Sequence, residues 1–283
     1  MFRDALAAEA YKFQRNRSTL FWGFCAVPLG NMLFNLTLET YLAMHMSGVG
    51  AAIRLSAGFA GKIELGPQII HGLGLSGSFL FQIFYIAGAS ALFAGEYRWE
   101  TWRLLVPRNS RLNLLLAKFA IYAMACAASI LGLGAVGALD TLYNSLLTGI
   151  APAGLSAGFA VQAMGVFLAS WAELLVIGAF TALIALASRA MMAALLAGIF
   201  FVVAQNIGMG LAHPWEAPLR YFAYLPSMSA YLLRAWASGQ EVAPGVLADP
   251  ARLLPATLFL LAWIAGLTGL AAALFQRQDL SRE

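Results

Sequence analysis

Six apolar runs constrain this chain more than anything else in it, each near the roughly 20 residues needed to cross the hydrocarbon core of a bilayer. They fall at about 19–44, 76–95, 113–138, 158–187, 191–211 and 253–275. Of the 283 residues 61% are hydrophobic and only 11% charged, whereas a water-soluble domain carries about 25% charged residues. A globule so poor in polar surface must be solvated by lipid. The reading is an all-α polytopic membrane protein, one transmembrane domain over 1–283.

Between the second and third runs lies Glu96–Lys118, EYRWETWRLLVPRNSRLNLLLAK, which holds five of the seventeen basic residues: Arg98, Arg103, Arg108, Arg111 and Lys118. A charged segment between two spans is a loop in water, and a Lys/Arg excess marks it as cytoplasmic. With the N-terminus inside, that side collects twelve basic residues: these five with Arg3, Lys12, Arg15, Arg17, Arg189, Arg277 and Arg282. The other side keeps five, Arg54, Lys62, Arg220, Arg234 and Arg252. Both termini are therefore expected in the cytoplasm. The net charge of +4 sits at span edges, which fits lipid headgroups and topology setting rather than nucleic acid.

Residues 2–17 read as an amphipathic interfacial helix, with Phe2, Leu6 and Phe13 on one side and Asp4, Lys12 and Arg15 on the other. A signal peptide is not expected, since the following apolar run is too long and no small-residue cleavage site closes it. On the outer side, residues 45–75 read as a Gly-rich, mildly polar connection. Residues 217–237, aromatic and interrupted by Pro226, read as a re-entrant helical hairpin between spans 5 and 6. Ser188-Arg189-Ala190 reads as a tight inner turn.

Several local patterns carry little chemistry. Gly58–Lys62 lacks the flanking Gly and Ser/Thr of a phosphate-binding loop, having Ser56 and Ile63 there. Gly74-Leu75-Ser76-Gly77 has the form of an intramembrane serine protease motif, but His45, His71 and His213 offer no base at mid-span; a turn with an N-cap is the simpler reading. Met44-His45-Met46 cannot converge on one metal from consecutive helical positions. Cys25 and Cys126 read as buried small hydrophobes, and the repeat of LSAGFA at 55–60 and 155–160 as coincidence.

Polar residues inside the spans are more informative, because each must face protein or water. Asn31, Asn35 and Glu39 are spaced by four and form a stripe on the first span. Glu173 lies mid-way along the fourth. Glu173 and Gln205 are each sixteen residues from Arg189, so antiparallel neighbours hold them at one depth. Glu173, Gln205 and Asn206 are thus candidates either for an interhelical hydrogen bond or, with the stripe, for the lining of a translocation path.

Glu96…Glu100-Thr101…Leu104-Leu105…Pro107…Arg111…Leu115…Lys118 resembles the inner loop of ABC transporter permeases of the ABC-2 type, which has the form E-x(3)-G-T-x-x-L-L…P…R…L-x-x-K. Glu9-x-x-Lys12, followed by Arg15 and Arg17, resembles the helix that leads into the first span of that family. Glu100 stands where the family usually has Gly. The resemblance implies the transmembrane subunit of an ABC exporter in a bacterial cytoplasmic membrane. It implies a dimer with a second copy of itself or a related permease, and two cytosolic ATPase subunits that bind ATP and Mg on separate chains. This chain itself would hold no cofactor and catalyse nothing; the cargo would be lipid-like, peptide or otherwise hydrophobic. The connector would form a cytoplasmic coupling helix in which Trp99, Trp102 and Leu105 anchor, Arg98, Arg103 and Arg108 orient an acidic partner, and Pro107 ends the helix. A basic loop that only holds lipid headgroups, a non-transporting sensor or immunity protein, and an intramembrane hydrolase are the alternatives.

Overall fold

The computed structural model describes residues 2–45, 63–98, 110–212, 225–243 and 246–278. Most of the connector, 99–109, and the first arm of the expected outer hairpin, 217–224, lie outside them. The described chain is all-α apart from two pairs of very short strands. Its helices are α1 (Phe2–Arg15), α2 (Arg17–Leu20), α3 (Ala26–His45), α4 (Leu65–Gly74), α5 (Phe79–Arg98), α6 (Arg111–Thr148), α7 (Phe159–Ser188), α8 (Met191–Ala212), α9 (Pro226–Ser238) and α10 (Leu253–Arg277). Among the described residues six helices are long and apolar enough to cross a membrane: Arg17–Tyr41, Phe79–Tyr97, Arg111–Thr148, Phe159–Ser188, Met191–Gly210 and Pro250–Arg277.

Helices α5, α6 and α7 form the inner bundle. Tyr85, Phe93, Tyr122, Ile130 and Leu174 are wholly buried between them. Tyr122 donates to the Leu174 carbonyl (3.1 Å) and Trp171 to the Ala123 carbonyl (2.8 Å), which pins α6 to α7 twice. The spans on the outside present Leu33 and Phe34, Leu196 and Phe200, and Leu254 and Leu258 outward, as lipid-facing surfaces do. Arg111 Nη1 donates to the carbonyls of Phe275 (2.9 Å) and Gln278 (2.5 Å), and Tyr97 to the Gln278 side chain (2.7 Å). Both feet of the connector and the end of α10 therefore share one end of the bundle, here the proximal end, to which Glu9 and Lys12 of α1 are also bonded.

Spans 1 and 3 run parallel and in register. Ser129 donates to the Phe24 carbonyl (2.7 Å), Asn35 to Asp140 (2.5 Å) and Asn144 to Glu39 (2.6 Å), and each pair is separated by 105 residues. A constant offset from Phe24 to Glu39 holds only if the two helices travel the same way at the same pitch. A π-helical turn, Phe21–Cys25, begins this pairing. It carries Phe24 into the core against Phe13, Tyr85 and Tyr122, with ring centroids 5.6, 6.2 and 5.9 Å away.

Three expectations are corrected. The third span continues well beyond residue 138: α6 is 38 residues long, about 57 Å at 1.5 Å per residue. It stops at Gly149, whose φ of 70° is the left-handed cap that closes many helices. The connection at 45–75 contains a real helix, α4, laid across α6. A Cβ on Gly72 would sit 2.4 Å from the Leu133 carbonyl oxygen, and one on Gly137 2.3 Å from that of Gln68. Glycines on both helices thus allow backbone contact, the means by which membrane helices approach closely. Finally, Pro226 does not interrupt a helix but starts one, at the position where its missing N–H costs nothing. The helix it starts, α9, packs against α7 and α10, where Ala230 is buried with Val176, Ala179, Leu260 and Leu267, while Met228 and Leu232 are buried beside Met209 and Val242. The tight turn at 188–190 is present: Arg189 caps α7 with a φ of 55°, and the Ala190 N–H donates to Ser188 Oγ (3.3 Å).

Candidate functional site

At the proximal end the structure joins four charged residues from three distant parts of the chain. Helix α1 turns Ala5 and Glu9 inward, buried against α6, while Leu6 and Phe13 pack on the core beside them. Phe2, expected on the apolar side, is exposed, and Lys12, expected on the outer polar side, shares the inward face. Glu9 accepts from Lys118 Nζ at Oε2 (2.8 Å) and from Lys12 Nζ at Oε1 (3.1 Å). Glu96 Oε1, at the end of α5, accepts from the same two ammonium groups at 3.0 Å (Lys12) and 3.1 Å (Lys118). Glu9, Lys12, Glu96 and Lys118 form a closed ring of alternating charge, net zero.

The ring is buried where desolvation is most costly. Lys118 and Glu9 side chains are each 2% exposed, and the third Lys118 donor goes to the Leu92 carbonyl (3.2 Å). An ammonium has three donors and no acceptor, so Lys118 is fully satisfied; an unpaired charge at that depth would be prohibitive. Lys12 stands at the solvent edge, its side chain 39% exposed. Burial works against its charge, but the carboxylates of Glu9 and Glu96 outweigh that and raise its pKa above the ordinary lysine range.

This ring clasps both feet of the connector. Glu96 is two residues before Arg98, where α5 ends, and Lys118 lies two turns into α6, whose N-cap Ser110 accepts from the Asn113 N–H (3.3 Å). Arg111 holds the end of α10. Of the residues expected to face an ATPase, Glu96 and Arg111 are thus engaged with the chain itself. Arg98 closes α5, and Trp99, Glu100, Thr101, Trp102, Arg103, Leu105, Pro107 and Arg108 lie outside the described residues.

The pattern that defines a family described as "Protein of unknown function (DUF2705)" matches residues 69–266. The chain belongs to that family. The matched stretch includes Glu96 and Lys118 but not Glu9 or Lys12. No curated protein matches the chain, and no solved structure does.

A second charged group lies deeper within the DUF2705 region. Glu173 is not bonded to Gln205 or Asn206, as its depth suggested. It accepts from Gln82 Nε2 (3.1 Å) and from Arg234 of α9. Gln205 instead accepts from the Ser227 N–H (2.9 Å) and hydroxyl (2.8 Å), so it caps α9. Asn206 donates to Val202 of its own helix (2.9 Å). Arg234, expected among the outer charges, reaches Glu173 because Gly77 leaves room: a Cβ there would lie 2.7 Å from the guanidinium carbon. The Gly74–Gly77 stretch is therefore the seat of an arginine. Its Ser76 caps no helix start, donating back to Leu73 (3.3 Å).

The stripe on span 1 pairs with the far part of α6. Asn35 and Glu39 meet Asp140 and Asn144 as given above, and Thr40 shares a 2.5 Å hydrogen bond with Tyr143; Asn31 is half-buried on the same face. Asp140 and Asn144 escaped the sequence reading because the span was ended at 138. Their spacing of four, matching Asn35 and Glu39, was the available signal.

Proposed function

We propose that this chain is the permease subunit of an ATP-driven transporter of the ABC-2 type, a homodimer or paired with a related permease in a bacterial cytoplasmic membrane. Separate ATPase subunits drive it through the 96–111 connector. The observation that carries this reading is the ring of Glu9, Lys12, Glu96 and Lys118. Glu9 and Lys12 of the lead-in motif, and Glu96 and Lys118 that open and close the connector motif, come together in space as one ionic unit.

A connector that receives mechanical work needs a stiff mount, and a buried, reciprocated ion-pair network is one. Force applied at Trp99, Trp102 and Leu105 would pass through the clasp to α1, α5 and α6 together. The stripe of Asn31, Asn35 and Glu39 then serves to hold spans 1 and 3 in register, and cargo moves between protomers rather than along that seam.

Trp102→Ala with Leu105→Ala should abolish capture of a cytosolic ATPase and its stimulated ATP turnover, while membrane insertion and the unfolding temperature stay at wild-type values. Undiminished capture would overturn the reading.

A further inference from the structure

Beside the clasp lies a cleft of about 260 Å³. At roughly 30 Å³ per water, that is room for eight or nine waters: too large for a packing fault, too small for a whole lipid, and about the size of a headgroup. Lys12, Asn16 and Thr19 line one wall and Ala91, Leu92 and Gly95 the other, with the ionic ring as floor. Span 1 begins at Arg17, span 2 ends at Tyr97 and span 3 begins at Arg111. Because the cleft sits in the last turns of these spans, it lies at headgroup depth once the hydrocarbon core is matched to them.

Lys12 and Asn16 bring unused donors to the cleft. Two of the three Lys12 ammonium donors are directed at Glu9 and Glu96, which leaves one. Asn16 uses its carbonyl oxygen to cap the Thr19 N–H (3.2 Å), and its amide NH₂ has no partner among the described residues. Arg15 and Arg17, the chain neighbours of the lining residue Asn16, are both exposed. The floor is neutral, since its two carboxylates are matched by two ammonium groups, and Arg15 and Arg17 add positive charge to the same stretch of chain. Gly95 points the same way. A glycine inside a helix costs about 0.5–1 kcal/mol relative to alanine, yet beyond its own helix no described residue lies within 4 Å of where its Cβ would be. Among the described residues, none fills the space it leaves.

We infer that this cleft binds the phosphate of a phospholipid headgroup, held by Lys12, the Asn16 amide and Thr19, with the headgroup seated over Gly95. A free phosphate ester carries the same chemistry, but phospholipid is the anion at that depth. The site needs no transport activity and stands apart from the permease reading.

The test uses the full chain, delipidated in detergent, with native mass spectrometry and thermal shift as readouts. The probes are phosphatidylglycerol, diacylglycerol with the same chains, and inorganic phosphate. Wild type should retain one phosphatidylglycerol and be stabilised by it, and diacylglycerol should do neither. Asn16→Asp keeps the helix cap, for which Asp and Asn are equivalent, but replaces two donors by a negative charge; affinity should fall about tenfold or more. Gly95→Leu fills the cleft above the ring and should do the same. Competition by millimolar inorganic phosphate would widen the ligand to any phosphate ester, and its absence would restrict it to the lipid; both uphold the site. Equal binding of diacylglycerol, or wild-type retention in Asn16→Asp, would overturn it, and Asn16→Asp decides the matter if Gly95→Leu fails to fold.

Discussion

At the proximal end four charged side chains from α1, α5 and α6 close a ring, whereas halfway along the bundle Glu173 meets Arg234 and Gln82 and no ring forms. The ring leaves Lys118 with every donor used. Around Glu173, Gln82 Oε1 and Ser170 Oγ are buried with no hydrogen-bond partner among the described residues. The first group joins three helices at the feet of a long connector. The second attaches one 13-residue helix, α9, to the bundle through a single arginine. Reciprocity distinguishes a mount from a catch.

The largest effect should come from Lys118→Met. It leaves Glu9 and Glu96 buried with only the half-exposed Lys12 between them, and breaking a buried ion pair from one side costs on the order of 3–5 kcal/mol. Adding Glu9→Gln should recover more than half of that loss, because the uncompensated charge is what destabilises. Equilibrium unfolding of the two singles and the double in mixed micelles measures this coupling; additive losses would mean that the ring is not one unit. Arg234→Met should cost somewhat less, on the order of 3 kcal/mol, because it strands one buried carboxylate, Glu173, rather than two. Gln82 still donates to Glu173, and the Arg234 side chain already keeps 14% of its surface exposed. Hydrogen exchange should quicken in 226–238 and stay unchanged at residues 5–13. Matching changes at both ends would erase the distinction between the two groups.

How far the residues themselves announced all this differs between the regions. The six spans follow from apolar run length, which the bilayer fixes independently of packing. The ring was half legible: Glu9-x-x-Lys12 and Glu96…Lys118 stood out as motifs. Nothing in their spacing said that they meet, because α1 reads as an amphipathic surface helix. Its inward face contains a glutamate, and only a buried lysine from another helix makes that tolerable. The Glu173 partner was misjudged for a related reason. Equal distance from a turn fixes depth but not azimuth, and Glu173 faces α5 and α9 rather than α8. Arg234 and Gln82 could not be chosen without knowing that α9 folds back into the bundle, and Pro226 had suggested a break rather than a start. Helix α4 was hidden by its glycines, which mark loops in a sequence but here permit backbone contact with α6.

One substitution made at two places sharpens the contrast further. Gly77→Ala puts a methyl where the Arg234 guanidinium lies, so the side chain must shift and its bond to Glu173 weakens; about 1 kcal/mol of stability should be lost. Gly95→Ala, beside the ring, meets no described residue beyond its own helix within 4 Å and should gain about 0.5–1 kcal/mol through the improved helix propensity. Opposite signs in thermal unfolding are expected, with the slower exchange in α5 confined to the second variant. A loss at Gly95 as large as that at Gly77 would place hidden contacts in the cleft.

The smallest effect concerns pH and isolates the one member of the ring that solvent reaches. Lys12 titrates above the ordinary lysine range because Glu9 and Glu96 favour its charged form. A group whose pKa is raised on folding contributes fully below its unfolded value, about 10.4 for lysine, and loses that contribution as pH rises through the folded value. The difference in unfolding temperature between wild type and Lys12→Met should therefore be flat from about pH 6 to 9 and shrink only above about pH 10. Because Lys12 is well exposed, solvent screens the pair and the difference itself should be modest. A difference that already falls between about pH 6 and 8 would show that a group other than this lysine sets the charge balance of the ring. The ring would then work as a proton-sensitive switch and no longer as a fixed mount.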